Sequence, residues 1–162
     1  MEMPVSTNTV NLKTATESFT ENFDELPDSF IPGVIGTGTI TTPVMEISFV
    51  TGAPSGGIWV GGPYNPGFQG KQLLGQVGPD QTQRFRLKLK TPATSMRFRH
   101  AQDFPVTVYV YDEDDLVDKH ELQSKGVGIY ESKATRITRV EFRQNKHKYD
   151  NSVLLDDFVF GR

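Results

Sequence analysis

Cysteine is absent from this 162-residue chain, which excludes a disulfide framework, a thiol nucleophile and a cysteine-based zinc site. Histidine occurs only three times, without the H-x-H or H-E-x-x-H spacing of a metal site. A G-x-S-x-G elbow and a phosphate-binding glycine loop are missing as well. We therefore predict that the protein is not an enzyme. Two-carboxylate glycoside hydrolysis stays open as the enzymatic alternative, because acid pairs occur throughout the chain.

Long apolar runs are also absent. No stretch approaches the roughly 18 consecutive apolar residues of a membrane span, so none is predicted. Residues 1–12 lack a basic region followed by an apolar run, and we predict that they are not a signal peptide. The net charge of -3 and the pI of about 5.6 argue against nucleic acid as a partner. None of these features names a compartment.

Helical periodicity is almost missing, whereas 15 glycines and 10 prolines separate short runs rich in β-branched and aromatic residues. This pattern predicts an all-β protein, a two-sheet antiparallel jelly-roll sandwich. We expect an extended N-terminal arm over 1–15 and a single domain over 16–162. Strands are predicted near 16–23, 34–41, 44–51, 70–75, 82–90, 94–101, 104–111, 117–123, 126–130, 135–143 and 152–160.

The stretch "RFRLKLK" alternates strictly, with apolar residues facing inward and basic residues facing outward. After "TPATS", which resembles a turn, "MRFRH" alternates again, so the two runs predict a hairpin. Such a hairpin would set Lys88 beside Arg97 and Arg86 beside Arg99. The outward cations would need compensation, and the candidates are Glu46, Glu141 and the acidic turn from Asp112 to Asp115. A sulfated or uronic glycan is the minority alternative for this basic face, which comprises Arg84, Arg86, Lys88, Lys90, Arg97 and Arg99.

The closing run "NSVLLDDFVF" places two adjacent carboxylates in an apolar strand. Strict alternation would put Asp156 on the face of Leu154, Phe158 and Phe160, and Asp157 on the opposite face. An unpaired carboxylate on an apolar face costs several kcal/mol. The first strand, near "ENFDELPDS", is commonly the neighbour of the last in a jelly roll, so its acids could approach these two. A calcium ion would neutralise such a cluster, and pairing with Arg, Lys or backbone N–H groups is the alternative.

Several motifs carry a family resemblance: the early "FDEL", the closing "VLLDDFVF", and "VTVYVYDEDD" with "GIYESKATRITRVEF" between them. Together they resemble calcium-binding jelly-roll domains, namely MAM domains, carbohydrate-binding modules and secreted bacterial proteins of unknown function. The resemblance implies a structural Ca²⁺ held by Asp24 with Glu25, and by Asp156 ahead of Asp157. It also implies an extracellular or cell-surface location. The disulfides of MAM domains and an export signal are both missing from the chain.

The segment "GAPSGGIWVGGPYNPGFQGKQ" is predicted to be a long loop, and it holds the only tryptophan. Aromatic rings bind the apolar faces of sugars, while amides bond the hydroxyl groups. Trp59, Tyr64, Asn65 and Gln69 are therefore the predicted ligand-binding residues. Phe68 is expected in the core.

These patterns lead to one principal hypothesis and one rival. The principal hypothesis is a non-catalytic, lectin-like module that binds a glycan or another cell-surface ligand and is stabilised by calcium. The rival is a structural, assembly or adhesion protein whose loops and N-terminal arm contact protein partners or a second copy of the chain. A glycan-active enzyme ranks third.

Overall fold

The computed structural model describes residues 18–123 and 126–162, which form eleven β-strands and no helix. The predicted arm over 1–15 lies outside these residues. The strands are β1 (Ser18–Glu21), β2 (Ser29–Pro32), β3 (Ile40–Thr41), β4 (Met45–Thr51), β5 (Gly57–Gly61), β6 (Gln72–Val77), β7 (Gln83–Gln102), β8 (Val106–Asp112), β9 (Asp115–Leu122), β10 (Gly128–Gln144) and β11 (Asn151–Gly161).

All described strand pairs are antiparallel, and they build the two sheets of a jelly-roll sandwich, which confirms the predicted fold class. Sheet I runs β2-β5-β6-β11 and continues into the C-terminal half of β7 and the start of β10, with β1 added beside β11. Sheet II runs β3-β4, the N-terminal half of β7, the end of β10, β8 and β9. Strands β7 and β10 therefore belong to both sheets.

The hairpin predicted over 82–101 is wrong, because β7 is one continuous strand of 20 residues. Its first half pairs with β4 over 84–89, and its second half pairs with β11 over 95–102. The segment "TPATS" lies between these two ladders, where Pro92 needs no ladder hydrogen bond. The strand turns the corner of the sandwich there, and β10 shifts register beside it, between Lys133 and Arg139. Arg97 and Arg99 consequently lie in sheet I, away from Arg86 and Lys88.

The core lies between the two sheets and includes side chains from both. Phe98 of sheet I meets Phe142 of sheet II edge-on, with ring centroids 5.5 Å apart. Phe142 in turn stacks on Phe85 at 5.3 Å. The valines 106, 108 and 110 of β8 are fully buried, as their alternation predicts.

The strict alternation predicted for β11 is also wrong, because the strand contains a β-bulge at Asp157. Asp157 has a positive φ of 52°, and the pairing with β7 shifts between Asp156 and Val159. The extra residue reverses the inward and outward positions. Phe158 and Phe160 therefore join Val153 and Leu155 in the main core instead of sharing the face of Leu154.

The sequence pattern did not predict two of the short strands. Strand β5 lies within the predicted loop of 52–72, and β2 lies between two predicted strands. Their glycine and proline neighbours resemble loop punctuation, and each strand has only four or five residues. Trp59 consequently sits on a strand of sheet I rather than on a loop.

Candidate functional site

The outer face of sheet I carries an aligned row of apolar side chains, which we call the apolar row. Register places Phe30 opposite Trp59, Trp59 opposite Leu74, Leu74 opposite Leu154, and Leu154 opposite Ala101. The intervening positions, such as Ile31, Ile58 and Leu73, face the core. Four interstrand spacings make the row roughly 19 Å long.

The row is open to solvent at its β2 end. Phe30 is 51 % exposed and stacks on Trp59, with ring centroids 4.6 Å apart and an interplanar angle of 24°. A Cβ atom at Gly57 would lie 2.5 Å from Trp59 Cη2 and 2.7 Å from Phe30 Cε1. Both rings therefore lie close against the backbone of β5, which holds them in place.

The other end of the row is covered by the loop after β5. Phe68 packs there with Leu154 and Ala101, and it is buried as expected. A pocket of about 250 Å³ remains beside them, with Asn65 in its wall. The lining residues are Asn65, Ala101, Gln102, Asp103, Gly126, Ser152 and Leu154.

The four predicted ligand-binding residues occupy different parts of this surface. Trp59 lies in the row and Asn65 lines the pocket at its end, although Asn65 Oδ1 also accepts the Gly67 N–H at 2.7 Å. Tyr64 is 45 % exposed, and its hydroxyl packs over Gly61 on β5. Burial and the nearby charge of Asp28 raise the pKa of Tyr64. Gln69 is exposed on the same loop.

Phe30 and Leu74 also belong to the row, although the sequence did not lead us to predict them as ligand-binding residues. The signal for Leu74 was its place in a predicted strand beside buried Leu73. Phe30 could be found only by pairing β2 with β5, because local alternation in a four-residue strand is too short to assign a face.

Asp156 lies on the same outward side as Leu154 but is fully buried. Among the described residues, neither of its carboxylate oxygens has a hydrogen-bond partner. Burial raises the pKa of Asp156 to about 7, and the charges of Asp157 and Asp24 act in the same direction. The backbone N–H of Asp157 and the charge of Arg99 act in the opposite direction and lower the pKa of Asp156. The N–H does not reach hydrogen-bond geometry with either carboxylate oxygen.

Asp24 approaches this carboxylate from the loop after β1. Its Oδ1 accepts the Lys71 backbone N–H at 2.7 Å, and its carboxylate lies against Gly70. A Cβ atom at Gly70, whose φ is +68°, would meet Asp24 Oδ1 at 2.2 Å. The close approach of Gly70 therefore holds the Asp24 carboxylate in place, within electrostatic reach of Asp156.

The other two predicted calcium ligands, unlike Asp156, are not buried. Asp157 is half-exposed and pairs with Arg99 at 3.4 Å. Arg99 also donates to the Gly67 carbonyl at 3.2 Å, which ties the bulge of β11 to the loop after β5. Glu25 is exposed in the turn after β1.

The orphaned carboxylate of Asp156 and the nearby Asp24 fit a hard cation, which prefers oxygen ligands. Within 18–123 and 126–162, no three His, Asp or Glu side chains group closely enough to hold a metal ion on their own. Backbone carbonyls and water would have to complete such a coordination shell.

Sheet II carries a polar groove on its own outer face, with a volume of about 650 Å³. Strands β4, β7 and β10 form its floor, and residues of the β8–β9 turn line it as well. The lining residues are Thr39, Glu46, Ser48, Arg86, Lys88, Leu89, Lys90, Pro92, Glu113, Asp114, Arg136, Thr138 and Arg139.

Acidic residues on neighbouring strands compensate part of the basic face. Glu46 is the register partner of Lys88, and Glu141 is that of Arg86. Glu141 is almost fully buried and pairs with Arg84 at 2.6 Å and Arg139 at 2.7 Å. The sequence predicts internal compensation by Glu46, Glu141 and the acidic turn, and in the structure Asp112 and Glu113 of that acidic segment pair with Arg136.

Comparison with known proteins finds the fold but no sequence family. No family model and no curated protein matches the chain. A solved family 29 carbohydrate-binding module, a mutant complexed with mannohexaose, matches with a TM-score of 0.50 at 10 % identity, over 83 % of this chain and 92 % of that chain. A second mutant of that module matches with a TM-score of 0.49 at 11 % identity, over 90 % and 92 %. The similarity concerns the jelly-roll fold. The described residues include no helix, and therefore none that could span a membrane.

Proposed function

We propose that this protein is a non-catalytic carbohydrate-binding module that holds a glycan along the apolar row. The observation that carries this proposal is the stack of exposed Phe30 on half-buried Trp59 at the open end of the row. Aromatic faces bind the C–H faces of sugar rings through dispersion and the hydrophobic effect. The row rests on paired strands, so little conformational entropy is lost when a ligand binds.

Polar groups beside the row supply partners for sugar hydroxyl groups. We assign this role to Asn65, in the pocket wall, and to Tyr64 and Gln69 on the exposed loop. Together with Trp59 they form the proposed ligand-binding set. The fold similarity to carbohydrate-binding modules agrees with this function, but one fold carries many functions, so the site itself is the stronger argument.

We also propose that a structural Ca²⁺ binds at Asp24 and Asp156. The support is the buried, unpartnered carboxylate of Asp156, whose charge needs a counterion. Of the other two predicted ligands, Asp157 is engaged by Arg99, and Glu25 remains a prediction. The ion would neutralise the two carboxylates and hold the β1 loop against β11.

Binding of neutral oligosaccharides tests the glycan proposal, and Trp59 is an intrinsic reporter because it is the only tryptophan. A panel of manno- and cello-oligosaccharides is titrated while tryptophan fluorescence is followed. We expect a spectral shift on binding. Phe30→Ala, which keeps the reporter, should weaken affinity by about tenfold or more, as is typical of an aromatic anchor. Trp59→Ala should do the same in calorimetry.

Tyr149→Ala is the matched control, because Tyr149 is an exposed aromatic residue at 58 % that stacks on Phe104 instead of the row. It should bind like the parent protein. Two results together would contradict the glycan proposal and support the rival assembly function. The first is that no neutral or acidic glycan binds. The second is that solution scattering, compared between the chain with and without residues 1–15, shows assembly through those residues.

A further inference from the structure

The groove on sheet II contains three cations that form no ion pair among the described residues, although Glu141 and Glu46 stand opposite two of them in the strand register. Arg136 pairs with Asp112 and Glu113 at 3.0 Å, and Arg139 pairs with Glu141. In contrast, Arg86 bonds only the Ser48 hydroxyl, at 3.2 Å. Among the described residues, the ammonium groups of Lys88 and Lys90 have neither an ion pair nor a hydrogen bond.

These three cations form a regular line on one strand. Arg86, Lys88 and Lys90 alternate with the buried Leu87 and Leu89, so they all project from the same face of β7. Side chains two residues apart on a strand are spaced about 6.6 Å. Like charges at this spacing repel one another. Glu46 and Glu141 offset only part of this repulsion, because Glu141 already pairs with Arg84 and Arg139.

The groove is held in shape by its own surroundings. The Arg139 guanidinium stacks over the Tyr111 ring at 4.0 Å and donates to Glu141 at 2.7 Å. Arg136 pairs with Asp112 at the end of β8 and with Glu113 of the β8–β9 turn. One wall is therefore preorganised, which lowers the entropic cost of binding.

We propose that this groove binds an acidic saccharide, with the carboxylate or sulfate group of the sugar among Arg86, Lys88 and Lys90. The hydroxyl groups of Thr39, Ser48 and Thr138 also line the groove and suit sugar hydroxyls. The volume of about 650 Å³ lies in the usual range of small-ligand sites. This site is separate from the apolar row, which lies on the outer face of the other sheet.

The acids of the same groove argue for a saccharide over a nucleic acid. Glu46, Glu113 and Asp114 stand in the lining beside the cations. A nucleic acid places closely spaced phosphates along its whole length, and several would face these carboxylates. An acidic saccharide has separated charges, which can reach the cations while its hydroxyl groups face the acids.

Calorimetry with an oligogalacturonate, a sulfated oligosaccharide, a neutral oligosaccharide of equal length and a single-stranded oligonucleotide tests this proposal. The variant Lys88→Ala/Lys90→Ala should weaken binding of one or both acidic saccharides by about tenfold or more, because it removes two charged donors. Lys88 and Lys90 are exposed, and a thermal melt checks that the fold is kept. Binding should also weaken as salt increases.

The matched control is Arg97→Ala/Lys133→Ala, which removes the same charge from exposed positions outside the groove. It should leave acidic-saccharide binding within about twofold of the parent protein. Trp59→Ala should also leave this binding unchanged, which separates this site from the apolar row. Equal losses in the groove variant and the control, equal affinity for neutral and acidic sugars, or tighter binding of the oligonucleotide would each overturn the proposal.

Discussion

Asp156 is a buried carboxyl group, and the free-energy cost of ionising it depends on the groups beside it. Its pKa is raised from 3.8 to about 7, chiefly by burial, so the folded state favours the protonated acid. The stability that this proton supplies is complete below pH 3.8 and is lost as the pH rises through about 7. Above that pH the folded chain must either hold an unpaired carboxylate or bind a cation.

Replacement of this carboxyl group separates those two outcomes. In chelator at pH 8, Asp156→Asn should be more stable than the parent protein by about 1–3 kcal/mol, because it removes a buried charge but keeps a buried polar group. Its stability should also vary less between pH 4 and pH 8 than that of the parent protein. The measurement is urea unfolding across this range.

Calcium should cancel or reverse the stability difference between the two proteins. At a concentration of about 100 times its Kd, a bound ion stabilises the parent protein by about 2.7 kcal/mol and should do little for Asp156→Asn. Asp157→Asn is the control, since Asp157 is half-exposed and its charge pairs with Arg99. If calcium stabilises the parent protein and Asp156→Asn equally, the ion does not use Asp156.

At the scale of the element, the bulge of β11 decides which side chains reach the core. Alternation in the sequence correctly groups Val153 with Leu155, but it assigns Phe158 to the wrong face. The only local signal for the bulge is the pair of adjacent aspartates, because Asp tolerates positive φ better than most residues. That tolerance permits a bulge without requiring one, so the position of the bulge is determined by the pairing of β11 with β7.

The corner of β7 shows the same limit of local sequence. "TPATS" has the composition of a turn, and both flanking runs alternate correctly, so their buried positions were predicted while their connection was not. Whether such a segment reverses the chain or carries it into a second sheet depends on β4 and β11, which lie far away in the sequence. The all-β class and the basic face could be predicted locally, whereas the apolar row required the order of the strands.

Two substitutions at Asp157 test the importance of its backbone conformation. Asp157→Gly loses an exposed ion pair but relieves the positive φ, so its stability should stay within about 1 kcal/mol of the parent protein. Asp157→Val places a β-branched side chain at that φ and should lose about 1–2 kcal/mol more than the glycine variant. Urea unfolding measures both. Equal stability of the valine and glycine variants would contradict the bulge at this position.

At the scale of the whole molecule, the two proposed sites lie on opposite outer faces of one sandwich. The apolar row belongs to sheet I and the cationic groove to sheet II, with the core between them. Packed sheets are about 10 Å apart, so ligands on the two outer faces are separated by more than that distance. The net charge of -3 does not reveal the groove, because its cations are balanced elsewhere on the surface.

This separation predicts that the two sites bind independently. Effects at sites more than about 7–10 Å apart, with no shared partners, add within about 0.5 kcal/mol. Titration with an acidic oligosaccharide should therefore give the same affinity whether or not a neutral oligosaccharide saturates the apolar row. Calorimetry with one ligand preloaded measures this coupling directly. Competition between the two ligands would place both on one face, and the protein would then bind one chain at a time instead of bridging two.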